Sequence, residues 1–461
     1  MNYDLIVIGG GPAGYVGAIR AAQLGKRVAC VEKERAGGTC LNWGCIPTKS
    51  LLRNAELFHL MKHRADEFGF SFDNLSYDWG KVIKRSRDVA DKNAGGIEYL
   101  FKKNTVDYLR AEATLENAEA VSVKSADGKI QKLEAKKILL ATGVVSRPMP
   151  GLPFNGTTVI GSREAMVLKK QPKSIIIIGA GAIGVEFAYF FNAFGTKVTL
   201  VEMLPNILPL EDTEASQTLE KAYAKLGIQV LTNTKVVKAE AGKDGVKISV
   251  EGEKAETLEA EVCLVAIGVQ PLLPGGAGGA AIKLTQRGYI ETDACYQTSL
   301  PGVFAAGDII GPPLLAHVAS YEAIQAVEGI FTNHAPKKVT VFPSCTYCQP
   351  QVASVGLTER AAKEKGLKFK VGKFPFSASG KARAVGEIDG FVKILFGEPH
   401  GEVLGAHIVG SEATEMIGEL GLAITLEATH EEIEATIHAH PTLSEAVHEA
   451  TGQAYGLAIH I

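Results

Sequence analysis

The chain holds 461 residues with a formal net charge of −3, its 48 Lys and Arg set against 51 Asp and Glu and spread along the sequence. That pattern excludes a nucleic-acid binder working through a basic face, and the length is too great for one core and suits three or four domains. Seven cysteines in so long a chain do not describe a disulfide scaffold.

The first element is a strand, Met1-Asn2-Tyr3-Asp4-Leu5-Ile6-Val7-Ile8, entered without the basic stretch or cleavage site of a secretory signal. The longest apolar runs, Ile138 to Ala141 and Ile175 to Ile178, have the length of buried strands and are too short to cross a membrane. A soluble cytoplasmic protein with no membrane contact is expected.

After the strand comes Gly9-Gly10-Gly11-Pro12-Ala13-Gly14, then a helix, then a strand from Val28 ending in Glu32. Such a Gly-x-Gly-x-x-Gly loop binds dinucleotides for specific reasons. The first glycine permits the tight turn, the second admits a pyrophosphate to the backbone, and the third lets helix and strand pack. The helix N-terminus favours the anion, and Glu32 would accept hydrogen bonds from ribose hydroxyls.

Next comes Gly37-Gly38-Thr39-Cys40-Leu41-Asn42-Trp43-Gly44-Cys45-Ile46-Pro47-Thr48-Lys49. A cysteine pair can bind zinc, which wants four ligands. No second Cys/His pair lies nearby; the closest histidines, His59 and His63, are spaced i,i+4 on an amphipathic helical stretch, and no metal is expected. Pro47 suits the first turn of a helix and places Cys45 at its N-terminus, where the dipole favours thiolate, the form that exchanges with disulfides. Lys49 lies one turn further on the same face. A dinucleotide loop followed by such a pair suggests a flavin whose electrons pass through a disulfide.

Helices are predicted over Lys49 to Arg64 and Trp79 to Phe101, and strands over Ala120 to Lys124, Ile130 to Leu133 and Ile138 to Gly143. The chain then repeats itself. Gly179, Gly181 and Gly184 answer Gly9, Gly11 and Gly14 at a constant offset of 170, and Gly195 and Glu202 answer Gly25 and Glu32. Strands over Val246 to Val250 and Cys263 to Gly268 close the second copy. Gly14 and Gly143 are 129 residues apart, whereas Gly184 and Gly268 are 84 apart. The first copy therefore carries an insertion, between Cys40 and Leu100, that holds the thiols. Beyond Lys338, strands are predicted over Phe369 to Phe374, Phe391 to Phe396 and Leu404 to Val409, with helices over Glu412 to Leu426 and Glu431 to Ile437.

Together these residues resemble the flavoprotein disulfide reductases, over essentially the whole chain. The thiol run and His438-Ala439-His440-Pro441-Thr442-Leu443-Ser444-Glu445 are most similar to the dihydrolipoamide dehydrogenases within that family. The resemblance implies an α/β protein of two Rossmann-like doubly wound domains, for FAD and NAD, with a central domain and a C-terminal α+β dimerisation domain. The corresponding limits are 1–146, 147–270, 271–337 and 338–461. It implies oxidation of a protein-bound dihydrolipoyl group by NAD+ through a Cys40–Cys45 disulfide and FAD. The implied partners are a second copy of the chain and the lipoyl acyltransferase core of a 2-oxo acid dehydrogenase complex, or glycine cleavage.

The same resemblance carries cofactor contacts to Gly9, Gly11, Pro12, Ala13, Gly14, Glu32, Lys33, Gly38, Thr39, Cys45 and Lys49. It adds the strand end Ala141-Thr142-Gly143, then Gly307 and Asp308, whose carboxylate would hold the ribityl chain, and the flavin-edge segment Leu315-Ala316-His317. On the nicotinamide side it assigns Gly179, Gly181, Ala182, Ile183, Gly184, Glu186, Glu202 and Gly268, with Glu186 paired to Lys49. Glu202 is followed by Met203-Leu204-Pro205-Asn206, without a base for a 2′-phosphate, so NAD is expected over NADP.

His440 is the expected base, although His438-x-His440 among five histidines from His430 onward keeps a metal in view. Glu445 has two readings of equal weight in the residues themselves. Thr442-Leu443-Ser444-Glu445 fits a capping box, and the glutamate also suits an acid that orients His440. The family spacing favours the second. Two departures stand out: Gly268-Val269-Gln270-Pro271 lacks the family's arginine, and Tyr347-Cys348-Gln349-Pro350-Gln351 replaces Tyr-Thr-x-Pro-Glu. Cys345 and Cys348 are expected to be two buried small side chains.

Overall fold

The computed structural model describes residues 2–461, so the first residue of the expected N-terminal strand lies outside the described residues. β1 (Asn2–Ile8), a glycine turn, α1 (Pro12–Gln23) and β2 (Val28–Glu32) build the first strand–helix–strand unit. The insertion follows as α2 (Gly38–Trp43), α3 (Cys45–His63) and α4 (Trp79–Lys103). β3 (Asp107–Asn117), β4 (Ala120–Ser125) and β5 (Ile130–Leu140) close the unit. One half of β3 lies parallel to β2 and one half of β5 parallel to β1, while β4 runs antiparallel between the other halves. β5 is unbroken where two strands are predicted. Leu133 and Ala135 alternate inward through its charged middle, as a half-buried strand requires.

β6 (Val144–Ser146) leads to the second unit. Its elements are β7 (Val159–Ile160), α5 (Ser162–Ala165), β8 (Ser174–Ile178), α6 (Ala182–Ala193) and β9 (Lys197–Val201). Then come α7 (Thr213–Lys225), β10 (Gln229–Leu231), β11 (Lys235–Ala241), β12 (Val246–Glu251), β13 (Ala255–Ala260) and β14 (Val262–Val265). The parallel sheet runs β10-β9-β8-β14-β7, and β11, β12 and β13 form the antiparallel flap. This is the first unit's plan repeated.

β15 (Val269–Pro271) returns antiparallel to β6, and α8 (Ala277–Ala280) follows. β16 (Val303–Ala305) then joins β5 in the first sheet, and α9 (Ala316–Phe331) packs along α1. The 271–337 segment thus adds its strand and its long helix to the first unit's layers.

The last region comprises β17 (Pro343–Thr346), β18 (Gln351–Gly356), α10 (Glu359–Glu364), β19 (Phe369–Pro375), α11 (Gly380–Val385), β20 (Phe391–Gly397) and β21 (Val403–Gly410). α12 (Ala413–Thr425), α13 (His430–Ala435) and α14 (Glu445–Tyr455) complete it. Its antiparallel sheet runs β17-β18-β21-β20-β19. Of these, β17, β18, α10 and α11 are not anticipated by the sequence pattern, and α14 only as the helix that a capping box at Thr442 would start. One buried cluster joins the regions, packing Leu51, Leu52 and Phe58 of α3 against Phe187, Phe190 and Phe191 of α6 and against Val352, Phe391 and Val409. It fixes the insertion to the second unit.

Candidate active site

The two glycine loops meet the same steric demands. Gly9 has φ +105°, and a Cβ there would lie 2.2 Å from the Ala141 carbonyl oxygen; Gly179 has φ +99° and would meet Ala266 O at 2.5 Å. A Cβ on Gly14 would sit 1.8 Å from Gly9 O, and one on Gly184 would sit 1.9 Å from Gly179 O. The middle glycines differ. A Cβ on Gly181 meets nothing within 4 Å, and one on Gly11 only Gly38 Cα at 3.8 Å. Packing within the chain does not demand glycine there, so the open space beside each backbone suits a group approaching from outside, at the N-termini of α1 and α6. Pro12, Ala13, Ala182 and Ile183 form the first turns of those helices.

Each loop is held by its acid. Glu32 Oε2 accepts from Gly10 N–H at 2.7 Å and Oε1 from Glu34 N–H at 2.8 Å. Glu202 repeats this with Ala180 and Leu204 at 2.8 and 2.9 Å. Each oxygen keeps a further acceptor site for a hydroxyl. Lys33 beside Glu32 is exposed, as is Thr39. The insertion starts against the first loop, where a Cβ on Gly38 (φ +55°) would come within 2.5 Å of Gly11 Cα.

Cys40 ends the first turn of α2 and Cys45 begins α3, with Gly44 as the break between them. Both are free thiols in hydrogen-bonding contact, and the contact is asymmetric. The bond to Cys45 and burial push Cys40 well above the ordinary thiol range. The same bond, opposed by burial and aided by Lys49, lowers Cys45. Of the two, Cys45 is the one whose surroundings favour the thiolate. Lys49 Nζ lies 2.9 and 3.0 Å from the two oxygens of buried Glu186. Tyr347, which sequence reasoning gave no role, donates its N–H to Glu186 at 2.9 Å and places its ring 4.2 Å from Lys49 Nζ.

Asp308 is half-buried, and desolvation pushes its carboxyl up to about 6. Gly307 N–H donates to Glu322 Oε2 at 2.8 Å, an acid with no motif to announce it. Leu315 precedes α9, Ala316 opens it, and His317 Nε2 lies 3.0 Å from Pro343 O. At the end of β5, Ala141 is buried and Thr142 Oγ1 is buried without a hydrogen-bond partner among the described residues. Gly143 and Gly268 turn the chain at φ +68° and +106°.

His440 lies between α13 and α14, its side chain 81% exposed. The groups that dominate the ionisation of the thiols are the thiols themselves, Lys49 and Glu186, and His440 is not among them. Glu445 fits the orienting reading, with Oε1 2.8 Å from His440 Nδ1, and makes only half of the capping box: Oε2 accepts from Thr442 N–H at 2.8 Å, but Thr442 Oγ1 donates to Ala439 O and α14 starts after Ser444 without a side-chain cap. Burial raises its carboxyl, but the Thr442 and His440 hydrogen bonds outweigh that and leave it lowered.

The sequence profile described as pyridine nucleotide-disulphide oxidoreductase matches residues 3–323, and the profile of that family's dimerisation domain matches residues 342–451. The chain belongs to the pyridine nucleotide-disulphide oxidoreductase family. A dihydrolipoyl dehydrogenase of Chlorobaculum tepidum is 47% identical over 97% of this chain and 96% of its own. Those of Zymomonas mobilis and Bacillus subtilis are 44% and 43% identical, each over 100% of this chain and 99% of its own. Among solved structures, LpdA of Mycobacterium tuberculosis superposes with a TM-score of 0.88 at 26% identity, covering 97% of this chain and 98% of its own. The flavoprotein disulfide reductase RclA of Escherichia coli gives 0.86 at 25%, covering 99% and 100%.

Within this family member, the structure brings Cys40, Cys45, Lys49 and Glu186 together, holds both glycine loops by their acids, and leaves His440 and Glu445 on the dimerisation domain. Cys348 is fully buried with Sγ 3.2 Å from Pro350 O, as expected. Cys345 is a correction. It is only partly covered, because β17 is the edge strand of its sheet.

Proposed function

We propose that the chain is a dihydrolipoyl dehydrogenase, oxidising the dihydrolipoyl group of a lipoylated protein and reducing NAD+. The observation that carries this reading is the polarised thiol pair beside Lys49 and Glu186, on a chain 43–47% identical to dihydrolipoyl dehydrogenases along its length. FAD and NAD are the cofactors. The orphaned Thr142 Oγ1 and the open space beside Gly11 and Gly181 fit them. Gly9, Gly11, Gly14, Glu32, Thr142 and Asp308 would hold FAD, and Gly179, Gly181, Gly184 and Glu202 would hold NAD. FAD, when bound, supplies the two-electron acceptor that links the thiols to NAD+.

The remaining chemistry belongs to the chain's own residues. With Nδ1 engaged by Glu445, His440 Nε2 accepts a proton from one substrate thiol. The substrate thiolate attacks Cys40 Sγ of the disulfide, the Cys40–Cys45 bond breaks, and Cys45 leaves as thiolate. The second substrate thiol then attacks the substrate sulfur of the mixed disulfide, which closes the lipoyl disulfide and releases Cys40, and its proton passes to Cys40. Two electrons have entered the pair, one proton rests on His440 and one on Cys40. The thiolate is left on the cysteine whose pKa is lowered, Cys45, and the proton on the one whose pKa is raised, Cys40.

The dimerisation domain supports a homodimer, and a His440 exposed on that domain suits a site shared across it, His440 of one chain serving the thiols of the other. The domain limits we propose are 1–146 for FAD with the redox pair, 147–270 for NAD, 271–337 completing the FAD site, and 338–461 for dimerisation. No helix among the described residues is long and apolar enough to cross a membrane. A cytoplasmic location and service to a 2-oxo acid dehydrogenase complex or glycine cleavage belong to the same proposal. Turnover of dihydrolipoamide with NAD+ tests it, and preference for glutathione disulfide with NADPH would refute it.

A further inference from the structure

The two thiols are not anchored alike. Cys45 opens a helix of 19 residues whose Leu51, Leu52, Ala55 and Phe58 are buried. Cys40 rides on α2, six residues with only Leu41 and Asn42 buried, far too short to hold itself. What holds it lies at its C-terminal end. The Trp43 indole N–H donates to Glu34 at 3.1 Å, and Glu34 takes both Arg163 guanidinium nitrogens at 2.8 and 3.0 Å. The Arg163 and Arg87 guanidinium groups lie over the Trp43 ring, 4.1 and 4.4 Å from its centroid, a favourable cation–π arrangement. Arg87 also donates to Asn42 O, and the Asn42 amide donates to Ala36 O and Gly38 O at 3.0 Å each. The clamp draws on α4, on α5 of the second unit and on the turn after β2. Both arginines reach α2 through Trp43, Asn42 and Glu34, the residues beside the thiol, so the clamp acts on the position of α2.

We propose that Trp43 is a positioning residue for the redox pair, its clamp on α2 setting the effective concentration of the Cys40 thiol at Cys45. This rests on the reading of Cys40 and Cys45 as the redox couple. A looser α2 lowers that effective concentration and makes the disulfide easier to reduce.

The holoenzyme can be equilibrated with dithiothreitol in its dithiol and cyclic disulfide forms. Each reduction moves two electrons from the reagent to Cys40–Cys45 as the reagent closes its own disulfide, with one of the reagent's two thiol protons passing to Cys40 and the other to His440 or the buffer. Alkylation and mass analysis then give the fraction reduced. Trp43→Ala should lower the effective concentration about tenfold, which raises the midpoint by about 30 mV for a two-electron couple. Trp43→Phe keeps a ring under the guanidinium groups and should shift less than half as far. A purely structural role would reduce FAD content or melting temperature and leave the midpoint in place. An unmoved or lower midpoint in Trp43→Ala, with the wild-type disulfide forming normally, overturns the proposal. Should that variant fail to fold, Arg87→Ala, which removes one guanidinium and the bond to Asn42, decides by the same criterion. A wild-type chain that forms no Cys40–Cys45 disulfide at any poise would instead refute the underlying assignment.

Discussion

The two dinucleotide units are alike where they would touch a cofactor and unlike where chemistry must be done. Their outer glycines meet the same carbonyls at nearly the same distances, and their acids take equivalent pairs of backbone amides. The difference lies after the acid. In the second unit a single helix, α7, leads from β9 to the next strand. In the first, α2, α3 and α4 intervene, and they carry the thiols and Lys49. Nucleotide recognition is thus a reusable strand–loop–helix device, and reactivity is an insertion placed against it.

The sharpest way to break that comparison is to strip the insertion of its chemistry. Cys40→Ser and Cys45→Ser should each lower turnover by about 10³-fold or more, as loss of a nucleophile does, with FAD content unchanged. Cys45→Ser alone should abolish the long-wavelength absorbance of a thiolate beside the bound flavin, and the reverse pattern would exchange their roles.

A second test asks whether the insertion is complete within one chain. His440→Gln should cost about 10²–10⁴-fold in turnover. Co-expressed with Cys45→Ser chains, it should recover about a quarter of wild-type activity. Half of randomly paired dimers are mixed, and a mixed dimer of twofold symmetry keeps one intact shared site. No recovery in dimers shown to be mixed would place His440 in its own chain's site.

The glycines sharpen the likeness. Gly181→Ala should raise KM for NAD+ about tenfold while leaving stability within about 0.5 kcal/mol, because its Cβ meets no protein atom. Gly184→Ala, aimed at a carbonyl 1.9 Å away, should instead cost about 1–3 kcal/mol in chemical denaturation. Equal effects would mean that the middle glycine serves packing.

The smallest effect concerns Cys45 alone. Its lowered pKa means that thiolate prevails above that pKa and is lost as pH falls through it. The alkylation rate of the reduced enzyme should therefore stay high below the ordinary thiol value of 9.0 and fall on acidification. Cys40→Ala removes the hydrogen bond responsible, and the midpoint should move upward.

Much of this was legible in the residues because the determinants are local or repeat. The offset of 170 placed both loops, both acids and the insertion. β5 reads as two strands in the sequence because its charged outward residues mask Leu133 and Ala135. Glu445 reads equally as cap and orienter in the sequence; the structure keeps the orienter whole and the cap only by half, because Thr442 Oγ1 turns to Ala439 O instead of to the helix. The Trp43 clamp was invisible, since Arg87 and Arg163 reach it from distant parts of the chain and no spacing rule links them. Tyr347 stood in plain view as part of a motif, yet only packing shows its ring against Lys49.

One topological detail bears on how the molecule is made. β16 and α9 cover β5 and α1, and Ala323 and Val327 pack into the cluster that holds Ala13 and Ala18. A ribosome must therefore synthesise the whole second unit before the first can close. At the usual 5–20 residues per second the interval between β5 and β16 lasts roughly 10–30 s. Throughout it an open strand edge and an apolar helix face await their partner, which makes this the stage at which a chaperone or a neighbouring nascent chain has most to bind.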